Sequence, residues 1–108
     1  MKLILAIVNN DDSALAASAL TEEGFSVTKL ATSGGFLQVG NTTFLIGTDD
    51  DRTQQAIDIL KTHCTTRKQV RNAMPSLGFG LHHMNMPEVV TVGGATIFVL
   101  DVDHMEKI

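Results

Sequence analysis

The sequence predicts an α+β sandwich, two helices laid on one face of an antiparallel sheet, and three observations predict it. Strand-like and helix-like hydrophobic periods alternate from the first residues onward, turn-forming residues fall at their boundaries, and Phe25 to Gly47 and Glu88 to Val102 each read as two strands joined through glycine. A chain of 108 residues, 44% hydrophobic and 19% charged, has the size and balance of one globular domain spanning residues 1–108.

Lys2 to Asn9 is apolar on both faces, as expected of a central strand covered on both sides. Asn10, Asp11, Asp12 and Ser13 offer N-caps for a helix running to about Glu23. Its stripe is Leu15, Ala16, Ala19 and Leu20, and Gly24 ends it. Phe25 to Thr32 is rich in β-formers, and Asn41 to Gly47 places Thr42, Phe44 and Ile46 on one face, so the two should pair as a hairpin. The run Asp49 to Asp51 suits a second helix start by capping and dipole attraction. Ala56, Ile57, Leu60 and Cys64 keep helical spacing, and Arg67 and Lys68 suit the negative pole.

Thr65 to Pro87 has mixed polarity, two prolines, two glycines and no sustained period, and reads as a long loop of the kind that is usually functional. Glu88 to Val92, the pair Gly93-Gly94 and Ala95 to Val102 then form a second hairpin signal. The order is β-α-β-β-α-β with one extra C-terminal strand, which is the ferredoxin-like arrangement.

Net charge −4 disfavours a chain that grips nucleic acid or anionic membrane through a general field. A domain near this size buries roughly 60–70% of its unfolded surface, so a partner subunit is a natural cover for remaining apolar area. Cys64 is the one cysteine, which excludes an internal disulfide and suits a reducing cytosol. The start, M-K-L-I-L-A-I-V, is too short in its apolar run for a signal peptide and reads as a buried strand; no run approaches the ~20 residues of a membrane span.

Catalytic chemistry finds little support. Cys64 falls on the apolar stripe of the second helix with no local His-Asp pattern, which reads as a packed core thiol. His82 and His83 are adjacent and lack the i,i+4 spacing of paired metal ligands, and the aspartate run lacks the alternation of a calcium loop. Neither a dinucleotide fingerprint nor a G-K-[S/T] phosphate loop is present.

The strongest local signal is T-S-G-G-F-L-Q-V-G-N-T-T-F-L-I-G, residues 32–47. In one reading Gly34 and Gly35 form a turn, Gly40 and Asn41 close it, and Phe36 and Leu37 pack on the protein's own core or on a neighbouring subunit. In the other, the glycines let backbone amides approach a phosphate while Phe36 and Leu37 flank a base and Asn41 reads its edge. Thr28 and the backbone at Gly47 then add contacts.

Over nearly its full length the chain resembles the PII-like cyclic-di-AMP receptor proteins of Gram-positive bacteria. The resemblance is carried by M-K-L-I-L-A-I-V, by F-S-V-T-K-L-A-T-S-G-G-F-L-Q-V-G-N-T-T-F-L-I-G and by V-G-G-A-T-I-F-V-L-D-V-D; it fades between Thr65 and Pro87. It implies a cytoplasmic homotrimer of ferredoxin-like subunits, similar to nitrogen-regulatory PII proteins, with one cyclic-di-AMP in each of three clefts between neighbours. The expected function is that of a non-enzymatic receptor, with no cofactor and no metal. Ligand contacts are implied at Val27, Thr28, Gly35, Phe36, Leu37, Asn41, Gly47 and Phe98. Two positions depart from the family pattern: Ser26 stands where close relatives have arginine, and Lys107 stands near a C-terminal glutamine. The first departure removes a charged hydrogen bond worth ~1.5–3 kcal/mol when buried, for which Lys29, Arg52 or Lys107 of either subunit are candidate substitutes. The expected mechanism is ligand-dependent ordering of the glycine turn and of the Thr65–Pro87 loop, which sets which downstream protein docks. Rival readings are a PII-type ATP or ADP sensor, a metal-binding trimer of the same fold using His82, His83 and Cys64, and an enzyme acting on a small nucleotide.

Overall fold

In a computed structural model, described for residues 1–30, 40–72 and 87–108, the chain forms β1 (Lys2–Asn9), α1 (Asn10–Glu22), β2 (Ser26–Leu30), β3 (Asn41–Thr48), a 3-10 turn (Asp50–Arg52) and α2 (Thr53–Cys64). After these come β4 (Arg67–Asn72), β5 (Pro87–Val92) and β6 (Ala95–Asp101). The class is α+β, with two helices and antiparallel sheets.

Four strands make one antiparallel sheet in the order β2-β3-β1-β6. The expected hairpin of the second and third strands is present, with Thr28 opposite Leu45. Strand alternation then sorts β1 into two rows. Ile4, Ala6 and Val8 are fully buried and meet Phe44 and Ile46 of β3, Ala16 and Leu20 of α1, and Ala56, Leu60 and Cys64 of α2 in one core. Leu3, Leu5 and Ile7 on the opposite face are only half-buried, so β1 is covered on one side within a single chain, not on both.

The helices differ from the sequence reading in detail. Asn9, one residue earlier than the offered caps, closes α1 by accepting the Asp11 amide at 2.9 Å. Its buried stripe is Asp12, Ser13, Ala16 and Leu20, while Leu15 is 67% exposed, because the helix is rotated toward Ala16–Leu20. The aspartate run forms the 3-10 turn instead of a side-chain cap, and Asp50 pairs with the N-terminal amine at 2.7 Å. Arg52 docks on the end of α1. Its guanidinium lies 4.2 Å from the centroid of the Phe25 ring and donates to the Glu23 carbonyl at 2.6 Å.

The second half is where expectation and structure part. Part of the stretch read as a loop is strand β4, and it pairs with β5, Arg67 opposite Val92, in a separate two-stranded sheet. The expected hairpin of Glu88–Val92 with Ala95–Val102 does not form. Gly93 and Gly94 do take positive φ, 82° and 90°, but they carry the chain from one sheet into the other, and β6 pairs with β1. The fold thus has two strands beyond the four-stranded sheet, inserted before its last strand and not following it. Arg67 does not serve the α2 dipole; it opens β4, and Lys61 and His63 occupy the last turn of α2.

Candidate functional site

The open face of the four-stranded sheet is built from the strand positions that point away from the helices. Pairing aligns them in rows across β2, β3, β1 and β6: Ser26, Gly47, Leu3 and Leu100; then Thr28, Leu45, Leu5 and Phe98; then Leu30, Thr43, Ile7 and Thr96. None of these twelve residues is charged, and Phe98, Leu100 and Leu30 are 51%, 48% and 37% exposed. A largely apolar, uncharged sheet face open to water has the character of an interaction surface.

Among the residues singled out from the sequence, Thr28, Asn41, Gly47 and Phe98 fall on this face, Asn41 by its odd position on β3. Val27 does not: it points to the other side and packs against the core. Gly35, Phe36 and Leu37 lie outside the described residues. The four that share the face are not adjacent. Asn41 and Gly47 stand at the two ends of β3, roughly 20 Å apart at the rise of an antiparallel strand, and Thr28 and Phe98 stand on opposite edge strands, roughly 14 Å apart at ordinary strand spacing. Gly47 has open space above it; a Cβ there would come no closer than 3.7 Å to the flexible end of Met1. Thr43, between Ile7 and Leu30, is 3% exposed, and its hydroxyl has no hydrogen-bond partner among the described residues.

Charge does not reach this face from the expected substitutes on the sheet. Lys29 shares the helix side with Val27, and Arg52 is held at Phe25 and Glu23. Lys107 is exposed in the C-terminal segment.

A cleft of about 400 Å³ lies elsewhere, on the helix side between the end of α2 and β6, lined by Leu60, Lys61, Cys64, Thr65, Thr66, Ala95 and Ile97. It contains none of the ligand residues expected from the sequence. Cys64 forms part of its wall, and burial, reinforced by the Asp12 carboxylate, pushes the thiol from an ordinary 9.0 up to about 11 against the opposing Arg67 charge. That thiol is protonated at neutral pH, as a packed core cysteine is, whereas a nucleophile or metal ligand works as the thiolate. Among the described residues no three His, Cys, Asp or Glu side chains gather as a metal site, and no helix is long and apolar enough to cross a membrane. His82 and His83 lie outside the described residues.

Sequence reasoning missed a polar cluster at the first turn of α1. The Asn10 amide donates to the Gly40 carbonyl at 2.9 Å, and the Thr42 hydroxyl donates to Asn10 Oδ1 at 2.5 Å, which fixes the backbone on both sides of Asn41. Two residues on, buried Asp12 accepts from Arg67 Nη2 at 2.8 Å and from Nη1 at 3.3 Å. The N-cap cluster is visible in the sequence, but nothing local links position 12 to position 67.

Residues 1–108 match the family model described as cyclic-di-AMP receptor. The chain belongs to the cyclic-di-AMP receptor family. A cyclic-di-AMP-binding, signalling role comes with that membership, and the resemblance seen in the sequence is to the same family. A functionally unknown protein from Pediococcus pentosaceus, known from its crystal structure, is 37% identical, and the match covers 99% of this chain and 96% of that one with a TM-score of 0.77.

Proposed function

We propose that this chain is a non-enzymatic, cytoplasmic signalling receptor that holds cyclic-di-AMP in clefts between the subunits of a PII-like homotrimer. One observation carries the reading. Thr28 and Phe98 share the open face but stand on its two opposite edges, so one chain cannot close both on a single base, whereas the β2 edge of one copy set beside the β6 edge of the next can. Such a head-to-tail contact uses two different edges of the same molecule and generates a closed ring when the rotation permits. The strand order β2-β3-β1-β6, with both helices on one face, is that of a ferredoxin-like sheet and supports the PII-like assembly.

The uncharged face then has two parts in the assembly. Leu3, Leu5, Ile7, Leu45 and Leu100 are covered by neighbouring copies, and the rim made by Thr28, Asn41, Gly47 and Phe98 takes the ligand together with residues Gly35, Phe36 and Leu37, while Val27, whose side chain packs on the core, takes part through its backbone alone. Ligand binding orders the glycine turn and the segment bearing β4 and β5, which selects the protein that docks downstream.

Mixed assemblies test the shared cleft. Thr28→Ala and Phe98→Ala proteins each bind cyclic-di-AMP weakly when alone; co-refolded in equal amounts, they regain wild-type affinity in roughly a quarter of their clefts, because random pairing reunites an intact Thr28 with an intact Phe98. No recovery on mixing would place the site within one chain.

A further inference from the structure

We infer that the first turn of α1 is a shared anchor through which Asn10 and Asp12 couple the binding turn at Gly40–Thr42 to the root of the β4–β5 hairpin; this rests on the receptor reading above.

Both segments are rooted on the same few residues. On one side, Asn10 holds the Gly40 carbonyl through its backbone amide and the Thr42 hydroxyl through its side chain, so Asn41 is gripped at both neighbours. On the other, Asp12 holds Arg67, the first residue of β4, through two hydrogen bonds. Arg67 Nη1 also donates to the Thr65 carbonyl at 3.1 Å, and the Gly94 amide donates to the Cys64 carbonyl at 2.5 Å, tying both strands of the hairpin to the end of α2.

The clasp is tight enough to dictate the neighbouring residue. A Cβ on Gly93 would come within 2.5 Å of Arg67 Nη1, 2.7 Å of the Thr65 carbonyl oxygen and 3.2 Å of Asp12 Oδ2. Gly93 leaves that space to the ion pair, and its φ of 82° is one that glycine adopts without strain.

The turn between the two grips is short and internally bonded. Asn9 Oδ1 accepts the Asp11 amide and the Ser13 hydroxyl donates to the Asn10 carbonyl at 3.0 Å, so residues 9–13 move as one piece. Asp12 is 5% exposed, so its carboxylate depends on the two Arg67 hydrogen bonds to replace the water it has lost. A ligand that shifts Asn41 therefore shifts Asn10, and with it the carboxylate that orients the β4–β5 hairpin. Asn10 and Asp12 act here as positioning residues and touch no ligand.

Hydrogen exchange of the full-length protein with and without cyclic-di-AMP tests the coupling. In the wild type the ligand slows exchange in β3 and also at the hairpin root, residues 64–68 and 92–95, the latter by a factor within the ~5–150-fold range usual for coupled sites. Arg67→Gln, at a side chain 46% exposed, and Asp12→Asn, which weakens the same pair from its other end, each keep the β3 response and reduce the root response to less than about twofold. A purely structural clasp would raise root exchange equally with and without ligand, and an unchanged ligand-dependent ratio in both variants overturns the inference. Slowing confined to β3 in the wild type overturns it too. No slowing anywhere in the wild type overturns the receptor reading and the coupling together.

Discussion

Thr28 and Phe98 lie in one row of one sheet face, with Leu45 and Leu5 between them, and each stands on an edge strand. Edge strands leave backbone groups unpaired and invite a neighbour, and here both edges carry a residue of the candidate site. The face between them is largely apolar, so in the proposed trimer assembly and ligand binding draw on adjoining parts of one surface.

The two phenylalanines at the sheet separate binding from stability. Phe44 is fully buried in the core and Phe98 is 51% exposed. Phe44→Ala should lower stability by ~3–5 kcal/mol through transfer and cavity terms. Phe98→Ala should leave the fold intact and weaken cyclic-di-AMP by ~1–3 kcal/mol if it stacks on a base. Thermal melts beside calorimetric titration check the pair.

Asn41→Ala should remove most cyclic-di-AMP binding, by ~1–3 kcal/mol for ligand groups left unpaired, and leave the oligomer unchanged in sedimentation. Its strand position on the open face and the grip on its two neighbours make it a pre-set donor and acceptor. Wild-type affinity in the variant would remove Asn41 from the site.

Two positive-φ glycines should respond differently to alanine. Gly40, at φ 71°, has nothing within 4 Å of an added Cβ, so Gly40→Ala costs about 1 kcal/mol from the left-handed backbone alone. Gly93→Ala adds a clash with Arg67 and Thr65 and should cost clearly more, with faster exchange at the hairpin root. Equal losses would show that the root is loosely packed.

Alkaline pH should expose the buried thiol. Cys64 in the folded chain holds its proton up to about 11, above its ordinary 9.0, so its contribution to stability is fully present below 9 and is lost as pH rises through 11. Urea midpoints measured from pH 8 to 11 should fall over that window, and Cys64→Ser should flatten this part of the curve. Alkylation of the native thiol at pH 8 should be slow and become fast on unfolding.

Much of the first half of the fold was legible because its signals are local. The apolar start, the caps around Asn10, Gly24 and the alternation at Thr42, Phe44 and Ile46 each set one element. The second half was not, because its decisive contacts are distant in sequence. Arg67 reads as a helix-end cation until Asp12 is found beside it, and Gly93-Gly94 has the composition of a hairpin turn whether it joins partners or passes between sheets. The candidate ligand residues came from the family resemblance and not from geometry: Thr28, Asn41, Gly47 and Phe98 share a face as strand parity allows, but Val27, the neighbour of Thr28, must by that same parity point into the core.

Calorimetric titration of the purified protein with cyclic-di-AMP, with ATP and cyclic-di-GMP as controls and at several protein concentrations, decides whether this chain is a cyclic-di-AMP receptor. The receptor reading predicts saturable binding near one cyclic-di-AMP per subunit, silent controls, and an oligomer that persists across the concentrations used. Absence of cyclic-di-AMP binding, or equal binding of ATP, would contradict it.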